Sequence, residues 1–380
     1  MVRIIHVVGG MNRGGAETLI MSIFRNIDRD HFQFDFAVET NQPCHYDDEI
    51  MCMDGQIIPH PHPKKGLRDY GKALKKTLQN YGPYDVIHSH VYQLSGYVLS
   101  IANKSSVPIR IAHSHNTQDS RPNSLPRNIY RAYMRWMIRH YATHLLGCSR
   151  DACESLFGQN CWQDQRVEVF PNAIDLSPYE ALPKNRHILR ENLKLPVDVP
   201  LIGHVGRFTR QKNHQFLIEV FASLLQKIPT AHLVLVGDGL LRPEIEALIK
   251  AKGIHSNVHL LGVREDVPEI MGALDLFLFP SFYEGLGIVL VEAQAAGVPC
   301  LVANTVPEDV QIVPELLKFE PLDAGADYWA FAISNLLFKS KESGVALSLR
   351  YMENIKKAGY DIRVATNKLQ DRIYRGGEAS

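Results

Sequence analysis

Short apolar runs alternate along the whole chain with longer stretches of helical periodicity. Most of the runs are almost continuously apolar, as in strands that are covered on both faces of a parallel sheet. The segments between them carry apolar residues at helical spacing, as at Leu217, Phe221 and Leu224. The pattern therefore predicts an α/β fold. The predicted strands lie at 4–8, 34–38, 86–88, 109–113, 144–147 and 167–170, and in a second series at 201–205, 232–236, 258–261, 276–279 and 300–303.

The strand–helix series is interrupted between Pro171 and Pro200, where five prolines punctuate a polar stretch. We place a domain boundary near Pro183, which gives domains of residues 1–183 and 184–360. A chain of 380 residues is long enough for two domains, each with its own core. Both halves open with a strand, a glycine-containing loop and a helix. Ligands of such sheets bind beyond the carboxyl ends of the strands, so the residues after each strand are the candidates for function.

The first strand is followed by Gly9–Gly15, a segment with four glycines. Glycines let backbone amides approach a phosphate closely, and the helix that follows adds positive potential. The segment is neither a Walker loop nor G-x-G-x-x-G, and a plain flexible turn fits it equally well. After a later strand, His115 is placed to donate to a phosphate or a sugar hydroxyl. A structural histidine is the alternative there, and the same two alternatives apply to His88 and His90.

Two cations follow the first strand of the second half, Arg207 directly after a glycine and Lys212 just before the next helix. Together with nearby amides they can clamp a diphosphate, because Arg binds phosphate through two parallel bonds and Lys acts as a point charge. Solvated surface charge is the alternative. A tight turn around Asp238 follows the next strand. We expect Asp238 to cap the following helix, with a ligand contact as the second choice.

Two acids, Glu284 and Glu292, are separated by seven residues. A helix that begins near Gly287 would place Glu284 in the preceding loop and Glu292 in the second turn. The amides of Leu286, Gly287 and Ile288 would then face an anion, while the carboxylates would accept hydrogen bonds from vicinal hydroxyls. A phosphate at the amides with a carboxylate on either side fits a nucleotide-sugar. A buried, paired structural acid is the equal alternative for Glu292.

Composition and charge exclude several classes of protein. Lys plus Arg and Asp plus Glu both number 41, so the basic surplus of a nucleic-acid-binding protein is absent. The six cysteines form no C-x-x-C pair and no zinc spacing. No stretch reaches the ~18 apolar residues of a membrane span, and the first apolar run is too short for a signal peptide. We therefore expect a cytoplasmic protein that binds no nucleic acid.

The zero net charge conceals two basic clusters in the first half. From Arg121 to Arg150 there are six arginines and no acid, and four of the arginines recur every four residues along one side of a helix. Aromatic residues interleave with them. A basic, aromatic-bearing face is typical of binding to a membrane surface, and a solvated helix face over core aromatics is the alternative. The residues that we expect to contact anionic lipid or a lipid-linked acceptor are Lys64, Lys65, Arg68, Arg127, Arg131 and Arg135.

Together these motifs resemble the retaining glycosyltransferases of family 4, and most of all the branch that builds bacterial capsular, exopolysaccharide or lipopolysaccharide glycans. The resemblance runs from the first strand to about Pro299. Two positions depart from the family pattern: Gly287, where many members carry Pro or Phe, and Ala173, where Gly is common. The motifs that carry the resemblance are Gly14-Gly15-Ala16-Glu17, His115, Gly206-Arg207 with Lys212, Gly237-Asp238-Gly239 and the pair Glu284 and Glu292.

The resemblance implies a fold and roles for individual residues. The fold is GT-B, in which two Rossmann-like parallel-sheet domains face each other across a cleft. A last helix within 361–380, at about 361–374, returns to the N-terminal, acceptor-side domain. Arg207 and Lys212 would bind the donor diphosphate, Glu292 the ribose hydroxyls, and Glu284 and His115 the transferred sugar. The remaining donor contacts would come from Gly14, Gly15, Gly206, Asp238, Leu286, Gly287 and Ile288.

The expected reaction is transfer of a sugar from a nucleoside-diphosphate-sugar, with a UDP-sugar as first choice, to a glycan or lipid-linked acceptor. Retention of the anomeric configuration and a role in surface-polysaccharide synthesis follow from the resemblance. Fixed cations would stabilise the charge on the leaving phosphate, so we expect no metal or other cofactor. The alternatives are a nucleotide-sugar 2-epimerase, a glycan phosphorylase or a non-catalytic nucleotide-sugar binding module. The missing G-x-G-x-x-G counts against a nicotinamide-dependent oxidoreductase.

Overall fold

A computed structural model describes residues 1–116, 124–183, 185–339 and 345–376. The chain divides into two compact units. The N-terminal unit consists of Met1–Ile174 and Tyr360–Ser380, and the C-terminal unit of Asp175–Gly359. The division precedes the boundary that we placed near Pro183, because the backbone of Ile174 forms a parallel bridge with Asp361 and stays with the N-terminal unit.

The N-terminal unit contains a seven-stranded sheet in the order β3-β2-β1-β4-β5-β6-β7, in which every pair is parallel. All the strands predicted in this half are present, and β3 is an additional edge strand. Their bounds are β1 Val2–Val8, β2 Phe32–Val38, β3 Gln56–Pro59, β4 Val86–Ser89, β5 Ile109–Ser114, β6 His144–Gly147 and β7 Val167–Val169.

Helices cover both faces of this sheet. Side chains alternate along β1, so that Ile4 and Val8 face one core and Ile5 and Val7 the other. Local signals set several helix ends: Ser124 accepts a hydrogen bond from the Arg127 amide at the start of α5. The helices are α1 Gly15–Asn26, α2 Asp47–Cys52, α3 Leu67–Asn80, α4 Ser95–Lys104, α5 Leu125–Tyr141 and α6 Arg150–Phe157.

The C-terminal unit contains a six-stranded parallel sheet in the order β10-β9-β8-β11-β12-β13. Its strands are β8 Leu201–Val205, β9 His232–Val236, β10 Val258–Gly262, β11 Leu276–Phe279, β12 Cys300–Ala303 and the unpredicted β13 Leu317–Glu320. Its helices are α7 Ser177–Glu180, α8 Arg186–Asn192, α9 His214–Leu225, α10 Arg242–Ala251, α11 Val267–Ala273, α12 Ile288–Ala295, α13 Ala326–Lys339 and α14 Val345–Lys357. Two doubly covered parallel sheets confirm the predicted α/β class.

The last helix returns to the N-terminal unit, as expected. Helix α15, Ile362–Lys368, is capped by Asp361 and continues into a π-helical turn at Leu369–Tyr374. Ile362, Leu369 and Tyr374 are buried in the same core as α1 and one face of β1.

Candidate functional site

In the C-terminal unit, a buried ion pair joins the loops that follow β8 and β11. Lys212 Nζ donates a hydrogen bond of 2.7 Å to Glu284 Oε1. Nζ also lies 4.8 Å from the centre of the Phe279 ring. The stem of Lys212 passes over Gly206, where an added Cβ would lie 3.3 Å from the Lys212 Cδ and Cε atoms. Glycine at 206 therefore leaves room for the lysine to reach the carboxylate.

Gln211, which the sequence analysis did not single out, ties the two loops together further. Its Nε2 donates to the Tyr283 carbonyl at 2.9 Å and to Glu284 Oε2 at 3.3 Å. The Phe282 amide donates to the Gln211 carbonyl at 2.8 Å. Both oxygens of Glu284 are therefore engaged, and the cation is held in place beside it.

Arg207 is exposed at the same strand end, in the residue after Gly206. The turn at 237–239 packs directly against this backbone, because a Cβ on Gly237, whose φ is +131°, would lie 2.1 Å from the Gly206 carbonyl oxygen. The Phe208 amide donates to the Asp238 carbonyl at 2.9 Å. The two glycine-containing loops therefore form one surface at the carboxyl ends of β8 and β9.

The prediction that Asp238 caps the following helix is wrong. The N-cap of α10 is Leu241, with no side-chain cap. Asp238 Oδ1 instead accepts the Gly239 amide at 2.7 Å, and Oδ2 pairs with Arg242 at 3.3 Å. The carboxylate is engaged by Gly239 and by the Arg242 side chain, and Asp238 precedes the N-cap Leu241 by three positions, too early to cap the first amides of α10.

Helix α12 begins at Ile288, as the sequence predicts. Its N-cap is Gly287 in the left-handed conformation, with φ +82°. An L-residue would be strained there, so the backbone itself favours the glycine at this departure from the family pattern. Leu286 is buried, and the amides of Ile288 and Val289 precede the first hydrogen bond of the helix, which the Leu290 amide donates to the Gly287 carbonyl at 2.8 Å. An anion contact at Leu286, Gly287 and Ile288 stays a prediction.

Glu292 lies in the second turn of α12 and is half-buried. Burial raises the pKa of its carboxyl to about 7. Burial raises the pKa of the Tyr179 hydroxyl, and the negative charges of Glu292, Glu269 and Asp175 raise it further. Among the described residues no ion pair involves Glu292, which argues against the alternative of a paired structural acid.

In the N-terminal unit, Gly15 and His115 both lie near Asn172. Gly14 is the extended N-cap of α1 and Gly15 its first residue. An added Cβ at Gly15 would lie 3.8 Å from Asn172 Nδ2, an ordinary contact. The Asn172 side chain also lies close to His115, where its polar group partly offsets the effect of burial, which lowers the pKa of that ring. Asn172 is buried, and the sequence analysis did not single it out.

His115 belongs to a cluster of five histidines. His6 Nδ1 lies 3.1 Å from His90 Nε2, and His90 Nδ1 lies 2.8 Å from His115 Nε2. His88 Nε2 lies 3.1 Å from His113 Nδ1, and His88 Nδ1 lies 2.9 Å from the Tyr374 hydroxyl.

Burial lowers the pKa of each ring in the cluster, that of His6 to about 3 and that of His115 to about 4. The pKa values of His88, His90 and His113 lie well below the usual range for the same reason. The rings are therefore neutral near pH 7. The repeated segment His-Ser-His at 88–90 and 113–115 is the signal by which the sequence could have revealed the cluster.

The basic cluster near α3 and the one on α5 differ in how far their cationic side chains are exposed. Lys64, Lys65 and Arg68 are all exposed around the start of α3. On α5, by contrast, Arg135 donates to the carbonyls of Ser155 and Leu156, at 3.1 Å in each case.

The expectation of an arginine face on α5 needs correction. Arg127 stacks on Tyr130 at 4.7 Å, and Arg131 donates to Asn128 at 3.2 Å. The exposed stripe is apolar instead, with Leu125, Ile129, Tyr133 and Trp136 exposed by 75, 63, 54 and 55%. Arg127, Arg131 and Arg135 are only partly exposed, and each contacts a partner along or behind the helix, whereas Arg139 is exposed. Arg121 lies outside the described residues. Within the described part of the chain, no helix combines the length and apolarity needed to cross a membrane.

Two family models match the chain in succession. The model described as Glycosyltransferase Family 4 matches residues 13–178, and that described as Glycosyl transferases group 1 matches residues 185–316. The two matches together include every candidate donor-site residue named above.

Curated relatives match over most of their length. The putative glycosyltransferase EpsF of Bacillus subtilis is 35% identical over 368 residues, which cover 94% of this chain and 93% of EpsF. CapH of Staphylococcus aureus, a capsular polysaccharide biosynthesis glycosyltransferase, is 25% identical. The match covers 90% of this chain and 92% of CapH. The Escherichia coli UDP-Gal:alpha-D-GlcNAc-diphosphoundecaprenol alpha-1,3-galactosyltransferase is 24% identical. The match covers 80% of this chain and 79% of that relative.

Among solved structures, Alr3699/HepE of Anabaena in complex with UDP has a TM-score of 0.78. The match covers 97% of this chain and 99% of that one, at 20% sequence identity. At this identity the likeness is one of fold.

Proposed function

Because this chain belongs to glycosyltransferase family 4 and has its GT-B fold, we propose that it transfers a sugar from a nucleoside-diphosphate-sugar to a glycan or lipid-linked acceptor. A UDP-sugar is the first choice of donor, since HepE, with the same fold, was solved with UDP. We place this reaction in the synthesis of a surface polysaccharide, because the relative CapH is named as a capsular polysaccharide biosynthesis glycosyltransferase.

The contact between Lys212 and Glu284 is the observation that carries the proposal. An ammonium group has three N–H donors, and Glu284 accepts one of them. The other two can bind oxygens of a donor diphosphate. Because Gln211 also holds Glu284, the ammonium is positioned before a donor arrives, so little reorganisation is needed in the transition state.

The chemistry follows from the leaving group. As the bond between the anomeric carbon and the β-phosphate oxygen breaks, negative charge grows on that oxygen. Lys212, Arg207 and the first amides of α12 are the groups that stabilise this charge, so the transfer step needs no divalent metal. The acceptor hydroxyl attacks the face from which the phosphate leaves and forms the new glycosidic bond. Its proton passes to the departing phosphate, and the configuration is retained.

Glu292 would hold the donor's ribose. With its pKa raised to about 7, the carboxyl is part protonated at neutral pH and can accept from or donate to a hydroxyl. As the family resemblance implies, we also propose that Gly15 lines the diphosphate and that His115 contacts the transferred sugar. A neutral His115 can donate one hydrogen bond and accept another, which suits a sugar hydroxyl.

Nucleotide binding tests the donor assignment directly. Calorimetric titration with UDP, GDP and ADP should show that UDP binds, and that Arg207→Ala combined with Lys212→Ala weakens it at least tenfold. The exposed Lys227→Ala is the matched control and should bind normally. Unchanged affinity in the double variant would refute the clamp. A nucleotide-sugar 2-epimerase on the same fold would convert its donor without any acceptor, so product analysis with and without acceptor separates the two activities.

We also propose that the N-terminal unit binds the acceptor at an anionic membrane surface on the cytoplasmic side. The exposed cations Lys64, Lys65 and Arg68 and the exposed apolar stripe of α5 support this. The E. coli relative is named for a diphosphoundecaprenol-linked acceptor, which is both lipid and anionic. Basic side chains suit its diphosphate and apolar ones its surroundings.

A further inference from the structure

The histidine cluster follows from strand periodicity and strand order. In each His-Ser-His segment, the two histidines are two residues apart on a strand end and therefore point to the same face of the sheet. Strands β4 and β5 are neighbours, so the two pairs lie side by side. His6 joins them because it is the direct partner of His88 in the pairing of β1 with β4.

We propose that His90, His113 and His115 form a binding site for a divalent transition-metal ion such as Zn²⁺. One ring nitrogen from each of the three lies within 4.8 Å of the others. Ligand nitrogens of a tetrahedral ion with Zn–N bonds of about 2.0–2.1 Å are roughly 3.3 Å apart. The nitrogens of His90 and His115, at 2.8 Å, need to part by only a fraction of an ångström.

The donor chemistry selects the class of ion. Imidazole binds metal through a ring nitrogen in its neutral form, and each of the three rings brings one such nitrogen to the group. Three nitrogen ligands favour Zn²⁺, Ni²⁺ or Cu²⁺, whereas Mg²⁺ and Ca²⁺ require oxygen ligands. The two histidine groups of the described chain that bring three potential ligands together contain no carboxylate.

Neighbouring groups hold the rings in place. Histidines that bind metal usually hydrogen-bond through their second nitrogen, which fixes the ring orientation. Here His88 bonds to His113 and is itself held by the Tyr374 hydroxyl, while His6 bonds to the Nε2 atom of His90. Asn172 lies beside His115. His6 and His88 would therefore orient the ligands, without binding the ion.

Exposure decides between two overlapping groups. His6, His88 and His90 also bring ring nitrogens together, but His6 and His88 are fully buried. His90 and His115 are partly exposed, so an ion can reach the group that contains both of them. Three histidines leave a fourth position for water or a ligand.

The test is metal binding by the full-length chain after treatment with a chelator. Equilibrium dialysis against Zn²⁺ should give one ion per chain, and Co²⁺ should give the visible absorption of a four-coordinate site. His113→Gln and His90→Gln should each weaken binding at least tenfold. The matched control is His232→Gln with His259→Gln, which removes another close histidine pair, with ring nitrogens 3.0 Å apart, and should bind the ion normally.

Two results would overturn the site: no stoichiometric uptake by the wild type, or unchanged affinity in both single variants. The uptake of Zn²⁺ by the wild type is measured without any substitution, so this part of the test does not depend on whether the variants fold. Thermal melts report on folding of the variants.

Inhibition of sugar transfer by the ion is a consequence that rests on the proposed function, because the ion would occupy His115. Zn²⁺ should inhibit the wild type and the control variant, and His113→Gln should be inhibited only at concentrations at least tenfold higher. If Zn²⁺ binds with the expected stoichiometry but leaves transfer unchanged, the site stands and the sugar contact of His115 is wrong.

Discussion

The ammonium of Lys212 and the carboxylate of Glu284 lie 2.7 Å apart, although the two residues are 72 positions apart in the chain. The contact forms because β8 and β11 are adjacent in the sheet, so the loops after them leave at the same edge. Glu284 is only 7% exposed. A carboxylate this buried requires its partners, and the pair should therefore contribute both to stability and to donor binding.

A double-mutant cycle on this pair measures the first contribution. Lys212→Ala should lower the free energy of unfolding by about 2 kcal/mol, because a buried carboxylate loses its cation. Adding Glu284→Gln should restore most of that loss, which urea denaturation of the four proteins would show. Lys357→Ala breaks the exposed pair with Glu353 and should cost less than about 0.5 kcal/mol. Additive losses in the cycle would mean that the pair is not coupled.

The left-handed backbone conformation at position 287 should require a glycine. Its φ of +82° is a conformation that costs an L-residue about 1–2 kcal/mol, so Gly287→Ala should lower the free energy of unfolding by that amount. Gly9→Ala is the matched control, since an added Cβ there meets nothing within 4 Å, and it should change stability by less than about 0.5 kcal/mol. Chemical denaturation measures both. Equal effects of the two substitutions would contradict the backbone explanation.

Glu292 should make stability depend on pH. Its pKa is raised from 4.5 to about 7 in the folded chain, which therefore holds the proton more tightly than the unfolded chain does. Its contribution to stability is complete below pH 4.5 and is lost as the pH rises to about 7.

Glu292→Gln removes this loss. Relative to the wild type, the free energy of unfolding of the variant should rise between these two pH values, by on the order of 2 kcal/mol at pH 8. Glu244→Gln, at an exposed position on α10, should show no such trend. Melting temperatures without nucleotide, taken from pH 4 to pH 8, measure the difference. A constant difference across this range would show that Glu292 titrates alike in both states.

Membrane contact should depend on the apolar stripe of α5 as well as on the cations. Replacing Ile129 and Trp136 by Ser removes exposed apolar surface without changing charge, and should reduce binding to anionic vesicles at least fivefold at low salt. Replacing Lys64, Lys65 and Arg68 by Ser should reduce it further and weaken its salt dependence. Co-sedimentation measures both. Absence of wild-type binding at low salt would remove the membrane proposal.

The sequence predicted the fold class well because the buried strands are apolar and their helices periodic. It missed β3 and β13, which are four-residue edge strands with weak patterns, one of them ending in Pro59 and the other carrying the exposed Lys318. Asp238 was assigned to a cap because it follows a strand and precedes a helix. Only the actual start of α10 at Arg242 shows that it is too far away.

The candidate site was predictable in its parts but not in its contacts. Lys212 and Glu284 each stand in a recognisable motif, whereas their pairing depends on strand order, which no local pattern specifies. The same holds for His6, whose partner His88 is determined by the placement of β1 beside β4. Gln211 and Asn172 carry no distinctive spacing and became visible only through their contacts.

We propose that Lys212, held by Glu284, stabilises the leaving diphosphate during sugar transfer. The most direct measurement is acceptor-dependent release of UDP from UDP-sugars by the wild type and by Lys212→Ala, with the glycosylated product identified and metal chelated throughout. We expect product with the donor's anomeric configuration, and a kcat lowered about 10²–10³-fold in the variant, by analogy with the loss of one oxyanion donor. Wild-type turnover in Lys212→Ala would contradict it.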